Sequence, residues 1–395
     1  MILEVKHETM THKRTKAVQA DIGTDKNYKA VSPPLYLSST YAFHGFEEMG
    51  QYDYGRSGNP NRDALGIAIS ELEGGHVSGA LGGIVTSSGM AAIDLLTNLL
   101  TSDELILAPH DCYGGTHRLL THRMRQGRFR TLFVDQTDSK ALADALKQKP
   151  SIILVETPSN PLMRLVDIAA ICKAAKKIGA LVAVDNTFLS PARQMPLALG
   201  ADFAIHSTTK YLNGHSDVVG GCIVAKTKDH AEQLAWWANC TGVTGSPFDS
   251  FMTLRGMRTL HARMDMAESN AIALATFLSE HTAIDHVYYP GLRSDTGYDL
   301  MKKQQSGPGA MLSFEVKGGR EAAKAVLENT SLFQLAESLG GVESLICHPG
   351  TMTHRGMEPE ARQIAGIKDT LIRISVGLED INDLTTDLKD AISHI

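Results

Sequence analysis

A mostly parallel β-sheet with helices on both faces, followed by a smaller C-terminal α+β domain, is the α/β architecture that this sequence predicts. Three observations carry it. Short apolar runs alternate with helix-patterned stretches between about residues 62 and 225. Each run ends in polar residues on its carboxyl side. Beyond about residue 226 long helices take over, bracketing two further strand-like runs. Strands that read as continuous apolar runs are buried on both faces, as happens when crossover helices wrap a parallel sheet.

The elements follow in order. Residues 1–60 look irregular, with Ser32-Pro33-Pro34 and the polar stretch Tyr52 to Pro60. Tyr36, Tyr41, Tyr52 and Tyr54 are too many aromatics for a disordered lead, so an arm laid on a neighbouring surface is expected. Asp63 to Glu73 has helical spacing and stops at Gly74-Gly75. Ile84-Val85-Thr86 then leads into Ser87-Ser88-Gly89-Met90 and a further helix. Strands are expected at Leu105–Ala108, Thr131–Val134, Ile152–Val155, Leu181–Val184, Phe203–Ile205 and Cys222–Ala225. Asp229 to Cys240 reads as a helix and Ser250 to Glu280 as one longer helix. Ala310–Val316 and Leu371–Val376 are strands of the smaller domain. The expected divisions are an arm (1–60), a ligand-binding domain (61–260) and a C-terminal domain (261–395).

Composition excludes several classes of function. The chain has 395 residues, 43% of them hydrophobic, enough for a full core and two domains. Its net charge of −6 comes without a basic tract, which argues against nucleic acid as a partner. Cys112, Cys172, Cys222, Cys240 and Cys347 are scattered and odd in number. They read as free thiols in a reducing compartment and not as a disulfide or zinc framework. His117 and His122 are five apart and off one helical face, so no metal site is expected. The first residues, Met1 to Asp21, lack the apolar core of a secretory signal, and no run has the composition of a membrane span. A soluble cytoplasmic protein is expected.

In a parallel sheet the ligand sits beyond the carboxyl ends of the strands. Here those ends carry Ser87-Ser88-Gly89, His110-Asp111, Asp135, Glu156-Thr157, Asp185-Asn186 and Ser207-Thr208-Thr209-Lys210. A lone lysine is as a rule a solvated loop residue, but the company of Lys210 argues otherwise. A strand-end lysine whose pKa is lowered by desolvation can form a Schiff base. Ser87 to Met90 opens a helix with hydroxyls and a glycine, a seat for a phosphate. Asp185, 25 residues before Lys210, can pair with a protonated pyridine nitrogen. Neither GxGxxG nor a P-loop occurs at a strand–helix junction, which removes the main support for dinucleotide or nucleotide binding. Together these features suggest pyridoxal 5′-phosphate (PLP).

Tyr54-Gly-Arg56-Ser-Gly-Asn-Pro60, Ser88-Gly-Met90, Tyr113-Gly-Gly115, Glu156-Thr-Pro-Ser-Asn-Pro161, Asp185-Asn-Thr187, Ser207-Thr-Thr-Lys-Tyr211 and Glu337-Ser-Leu-Gly-Gly341 occur in that order. With these motifs, the chain from about 17 to 390 resembles the cysteine/methionine-metabolism family of fold-type I PLP-dependent enzymes. Phe129 to Val134, Asn213 to Val219, Leu234 to Ala238 and Thr353 to Ala361 are most similar to its γ-replacing transferase branch. That branch joins an O-succinyl- or O-acetyl-homoserine to cysteine, giving cystathionine for methionine biosynthesis.

The resemblance implies roles for matching positions. Lys210 would hold PLP covalently and move protons, Asp185 would pair with its ring nitrogen, and Tyr113 would stack on the ring. Gly89, Met90, Ser207 and Thr209 would surround the phosphate. Tyr54 and Arg56 would complete that seat from a neighbouring subunit, within a homo-oligomer expected to be a tetramer built as a dimer of dimers. Arg373 would bind the α-carboxylate of an amino-acid substrate, with Asn160 and Ser338 nearby. Arg118 is a candidate for a distal succinyl carboxylate, and Glu337 for an incoming ammonium. Ser57 stands where succinyl-using relatives can carry a second arginine, which weakens the succinyl reading. Gly115 stands where methionine γ-lyases have cysteine, which disfavours methionine. Elimination from cystathionine by a γ- or β-lyase is the main alternative. A non-enzymatic ligand sensor with an aminotransferase-like fold is a remote one.

Overall fold

The computed structural model describes residues 11–395. Its larger sheet contains β1 (Ile84–Thr86), β2 (Leu105–Pro109), β3 (Arg130–Val134), β4 (Ile152–Glu156), β5 (Leu181–Asp185), β6 (Phe203–His206) and β7 (Gly221–Ala225). The spatial order is β1-β7-β6-β5-β4-β2-β3. The five strands β2 to β6 are mutually parallel, whereas β7 runs against both of its neighbours, β6 and β1. β1 therefore ends at the same edge as β2 to β6. The polar strand ends identified in the sequence meet along that edge.

The strands alternate between two apolar layers, as the period of two demands. Ile106, Ile152, Leu154, Phe203 and Ile205 pack with Ile93 and Leu96 of the helix Gly89–Thr97 and with Leu234 of the helix Lys228–Thr241. Leu107, Ile153, Val155, Val182 and Val184 enter the opposite layer, with Leu65, Ile69 and Leu72 of the helix Pro60–Glu73. β2, β4 and β7 are buried at every position, which explains why their sequences are apolar but for Glu156 at the end of β4.

The smaller sheet contains β8 (Ile284–Tyr288), β9 (Met311–Val316), β10 (Gln334–Leu335), β11 (Leu345–Cys347) and β12 (Leu371–Ser375), ordered β10-β11-β12-β9-β8. Its apolar face, including Ile372 and Ile374, packs with Leu274 and Leu278 of the helix Leu260–Glu280 and with Leu384 and Leu388 of the helix Ile381–Ile392. Arg373 alternates with Ile372 and Ile374 and reaches the other way. Its guanidinium meets Asn160 of the larger domain.

Three details depart from the sequence reading. The segment read as irregular up to residue 60 contains a helix, Lys13–Gln19, docked by Ala17, which is 1% exposed, and by an ion pair between Arg14 and Asp265 at 2.8 Å. Residues 1–10 of the expected arm lie outside the described residues. The single helix expected from Ser250 to Glu280 is two, Pro247–Met257 and Leu260–Glu280. At the break, Arg263 Nη2 donates to Gly256 O at 2.9 Å and Arg263 Nε to Thr259 Oγ1 at 3.1 Å. A side chain seven residues on thus joins Thr259 N, at 3.1 Å, on a carbonyl that a continuous helix would have used. β8, β10 and β11 were not foreseen: β10 and β11 have two and three residues, and β8 exposes Asp285 and His286.

One close approach sets how the helix Pro60–Glu73 lies on the sheet. A side chain at Gly66 would begin 2.2 Å from Gly83 O, and Gly83 N donates to Gly66 O at 2.8 Å. Gly66→Ala should therefore lower stability by about 1–3 kcal/mol through overpacking. A drop in the urea midpoint at unchanged slope checks this; an unaltered midpoint would mean that the helix shifts freely.

Candidate active site

Lys210 lies four residues beyond β6, and its Nζ donates to Ser338 Oγ at 2.6 Å. The turn that carries it is fixed on both sides. Ser207 N donates to Thr187 Oγ1 at 2.9 Å, which ties it to the end of β5. Thr209 Oγ1 donates to Gly220 O and accepts from Gly220 N, at 3.2 and 3.0 Å, which ties it to the start of β7. Burial, and after it the Arg373 guanidinium, lower the Lys210 pKa to about 8 against an opposing pull from Glu337. An amine near neutrality is available as a base or a nucleophile.

Beside it opens a cavity of about 400 Å³. Gly89, Met90, Ser207 and Thr209 line one end, where the helix Gly89–Thr97 begins. Ser88 Oγ caps this helix by accepting from Ala91 N at 3.1 Å, leaving its earliest N–H groups for a ligand. A side chain at Gly89 would begin 2.7 Å from Ser207 Cβ, so the absent side chain lets the two strand ends close around one spot.

Asp185 and Glu156 are register partners at the ends of β5 and β4, and both line the cavity. Asp185 accepts from Thr187 N at 3.0 Å. Glu156 accepts from Tyr113 N and Asn160 N at 2.9 and 3.1 Å. Burial raises the pKa of both, and the charge of Asp185 raises that of Glu156 further. Among the described residues, no ion pair joins either carboxylate. A protonated ring nitrogen beside Asp185 would relieve that cost. Tyr113, held through its N–H, presents its ring to the same space. A side chain at Gly115 would begin 2.5 Å from Tyr113 Cε1, so Gly115 makes room for the ring. An amine near pKa 8, an unpaired carboxylate, a ring and a helix N-terminus with hydroxyls are a donor set that fits PLP.

Arg373 closes the opposite wall and is 2% exposed. Its Nη1 donates to Asn160 Oδ1 and its Nη2 to Ser338 O, both at 2.9 Å, while Nε has no partner. No carboxylate neutralises it among the described ion pairs. A buried guanidinium in that state is a ready site for a carboxylate ligand. Ser338 serves both cations, its hydroxyl meeting Lys210 and its carbonyl meeting Arg373. It does so from a left-handed backbone conformation, φ 93°, of a kind costing about 1–3 kcal/mol and concentrated at functional sites. Glu337 lines the cavity next to it.

Three candidates stand apart from this cavity's lining. Tyr54, half exposed, carries Arg56 over its ring at 5.6 Å, and Arg56 Nε donates to Asn239 Oδ1 at 3.1 Å. Arg118 is exposed on the helix Gly114–Arg125, near Gly356. Sequence reasoning assigned no role to Glu156, Thr187 or Thr353, all of which line the cavity. Glu156 and Thr187 lay inside quoted motifs near strand ends, a signal that finds them; Thr353 opens the quoted stretch Thr353 to Ala361, but nothing in that stretch marks it as a cavity residue.

A sequence profile of the family described as Cys/Met metabolism PLP-dependent enzyme matches residues 14–393. The cystathionine gamma-synthase of Escherichia coli (strain K12) is 53% identical over 383 residues, covering 96% of this chain and 98% of that protein. The cystathionine beta-lyase of Lactococcus lactis subsp. cremoris (strain MG1363) is 45% identical, covering 97% and 99%. The crystal structure of cystathionine gamma synthase from Xanthomonas oryzae pv. oryzae, in complex with aminoacrylate and cysteine, superposes with a TM-score of 0.95 at 52% identity, covering 98% of both chains. The chain belongs to the Cys/Met-metabolism family of PLP-dependent enzymes.

Proposed function

We propose that this chain is a γ-replacing transferase that exchanges the acyloxy group of O-succinyl- or O-acetyl-L-homoserine for the thiol of L-cysteine, giving L-cystathionine. The observation that carries the reading is Arg373, a buried guanidinium without a carboxylate partner in the same cavity as Lys210 and Asp185. The substrates are the ones named by the synthases to which the chain is similar.

PLP, when bound, supplies an electron sink that stabilises negative charge developing next to the substrate's amine-bearing carbon. The residues do the rest. Gly89, Met90, Ser207 and Thr209 seat the phosphate, Asp185 holds the ring-nitrogen proton, and Tyr113 covers the ring. Arg373, oriented by Asn160, takes the α-carboxylate of the acylated substrate. Lys210 would hold the cofactor, and its side-chain amine would take the substrate's Cα proton. With a pKa of about 8, roughly a tenth of that amine is unprotonated at pH 7, far more than for an ordinary lysine. Ser338 Oγ steers it. The acyloxy group leaves as a carboxylate, and the cysteine sulfur bonds to Cγ. The same groups serve an elimination when no thiol arrives, and a β-lyase stands among the relatives. Product analysis with and without cysteine separates the two.

The arm supports a shared site. Tyr28, Val31, Leu37 and Phe46 are 91, 71, 68 and 92% exposed, an apolar surface that a second copy of the chain would cover. On that reading Tyr54 and Arg56 reach the neighbour's phosphate seat in a homotetramer built as a dimer of dimers. The five free cysteines fit the cytoplasm, and no described helix is long and apolar enough to cross a membrane.

Three outcomes test this reading. Lys210→Ala should abolish turnover and the visible absorbance of covalently bound cofactor; normal turnover would end the PLP assignment of Lys210. Tyr54→Ala and Lys210→Ala proteins, each inactive alone, should regain activity when subunits are exchanged, because a mixed dimer contains one intact site. Arg118→Ala should raise KM about ten- to a hundredfold for the succinyl ester and spare the acetyl ester, the cost of one charge-assisted contact. Equal losses on both esters would make Arg118 a structural residue.

A further inference from the structure

Behind the wall of the same cavity, a fixed histidine decides what one hydroxyl can recognise. His354 is fully buried, and its Nε2 lies 3.0 Å from the backbone carbonyl oxygen of Asn160. A carbonyl oxygen only accepts, so Nε2 carries the proton. Its Nδ1 lies 2.8 Å from Thr353 Oγ1. Burial and the nearby Arg373 guanidinium hold the ring neutral, with a pKa lowered to about 3. In that neutral tautomer Nδ1 has only a lone pair, so the Thr353 hydroxyl must donate to it. The hydroxyl proton is thereby used up, and what Thr353 turns to the cavity is a pair of acceptor sites.

Thr353 lines the cavity together with Arg373, Glu337 and Tyr113. Its loop packs against the helix that Tyr113 caps, since a side chain at Gly114 would begin 3.1 Å from Thr353 O. A hydroxyl that can only accept repels a carboxylate and receives N–H groups. On the proposed function, the α-carboxylate of the first amino acid goes to Arg373 and its amine to the cofactor. The ammonium that remains belongs to the second amino acid. We infer that Thr353 is a specificity-determining residue that accepts a hydrogen bond from the ammonium of the incoming cysteine, its orientation set by the relay Asn160 O–His354–Thr353. This inference rests on the γ-replacement reading above.

Steady-state kinetics of Thr353→Val and Thr353→Ser holoenzymes test it. Valine keeps the volume and loses the acceptor, whereas serine keeps the acceptor. Thr353→Val should raise KM for cysteine about tenfold, the size of one hydrogen bond to a charged group, while KM for the acyl ester and kcat stay within about twofold. Thr353→Ser should match the parent. Equal rises in both KM values, or none for cysteine, would overturn the inference. A parent enzyme that forms no cystathionine would overturn the γ-replacement reading instead. In that case spectral titration of the holoenzyme with L-cystathionine, which bears the same distal ammonium, reads the contact without synthesis. Binding about tenfold weaker in Thr353→Val alone supports the inference, and unchanged binding refutes it.

Discussion

Everything in this site depends on the ends of β5 and β6 being held side by side. Asp185 closes β5, and Ser207 to Lys210 follow β6. One buried carboxylate joins the two. Glu73 Oε1 lies 2.7 Å from both Asn186 Nδ2 and His206 Nε2, and Glu73, Asn186 and His206 are each at most 1% exposed. Asn186 is the residue after Asp185, and His206 comes just before Ser207. A second tie, Ser207 N to Thr187 Oγ1, closes the gap above. Burying a carboxylate is costly unless its partners are well placed. Once they are, the low dielectric that makes the pair costly also makes its geometry unique. The spacing between a ring-nitrogen partner and a reactive amine is thus set by groups that need not touch a ligand.

On this frame the cavity carries charges that the protein itself leaves without opposite partners. Arg373 has acceptors at two nitrogens but no carboxylate. Asp185 and Glu156 sit side by side without a cation, and Lys210 meets a hydroxyl. Each is unfavourable in isolation. Together they amount to a negative image of a zwitterionic substrate and a cationic ring. The strained backbone of Ser338 belongs to the same economy of strain and function: one residue turns a hydroxyl to the amine and a carbonyl to the guanidinium. Binding of the missing charges then offsets the desolvation already incurred, which is how preorganised sites favour their ligands.

The two domains contribute unequally to this chemistry. The larger sheet provides the cofactor side, because its strands deliver their carboxyl ends to one edge. On the proposed function, the smaller sheet provides the substrate side through Arg373, on the face of β12 opposite Ile372 and Ile374, and substrate recognition is then coupled to the packing of one domain on the other. The hydrogen bonds from Arg373 to Asn160 and from Ser313 Oγ to Pro161 O, at 2.9 and 2.7 Å, cross that boundary.

The sequence by itself determined the larger sheet, since β2, β4 and β7 are buried on both faces and read as nearly continuous apolar runs up to their ends. It also determined that Gly89, Asp185, Ser207 and Lys210 meet in one cavity, because they lie at strand ends, where chain order alone brings them to one edge. Arg373 came from family resemblance and not from periodicity; within β12 an arginine between two isoleucines reads as a surface ion pair. Only the tertiary structure made it a buried cation in the same cavity as Lys210. The same holds for Glu73, for the Asn160–His354–Thr353 relay and for the break before Leu260, where Arg263 from the next turn takes the Gly256 carbonyl. These depend on side-chain contacts made only in the folded chain or on the protonation of a buried ring. Local pattern carries neither, because partners and desolvation exist only once the chain has folded.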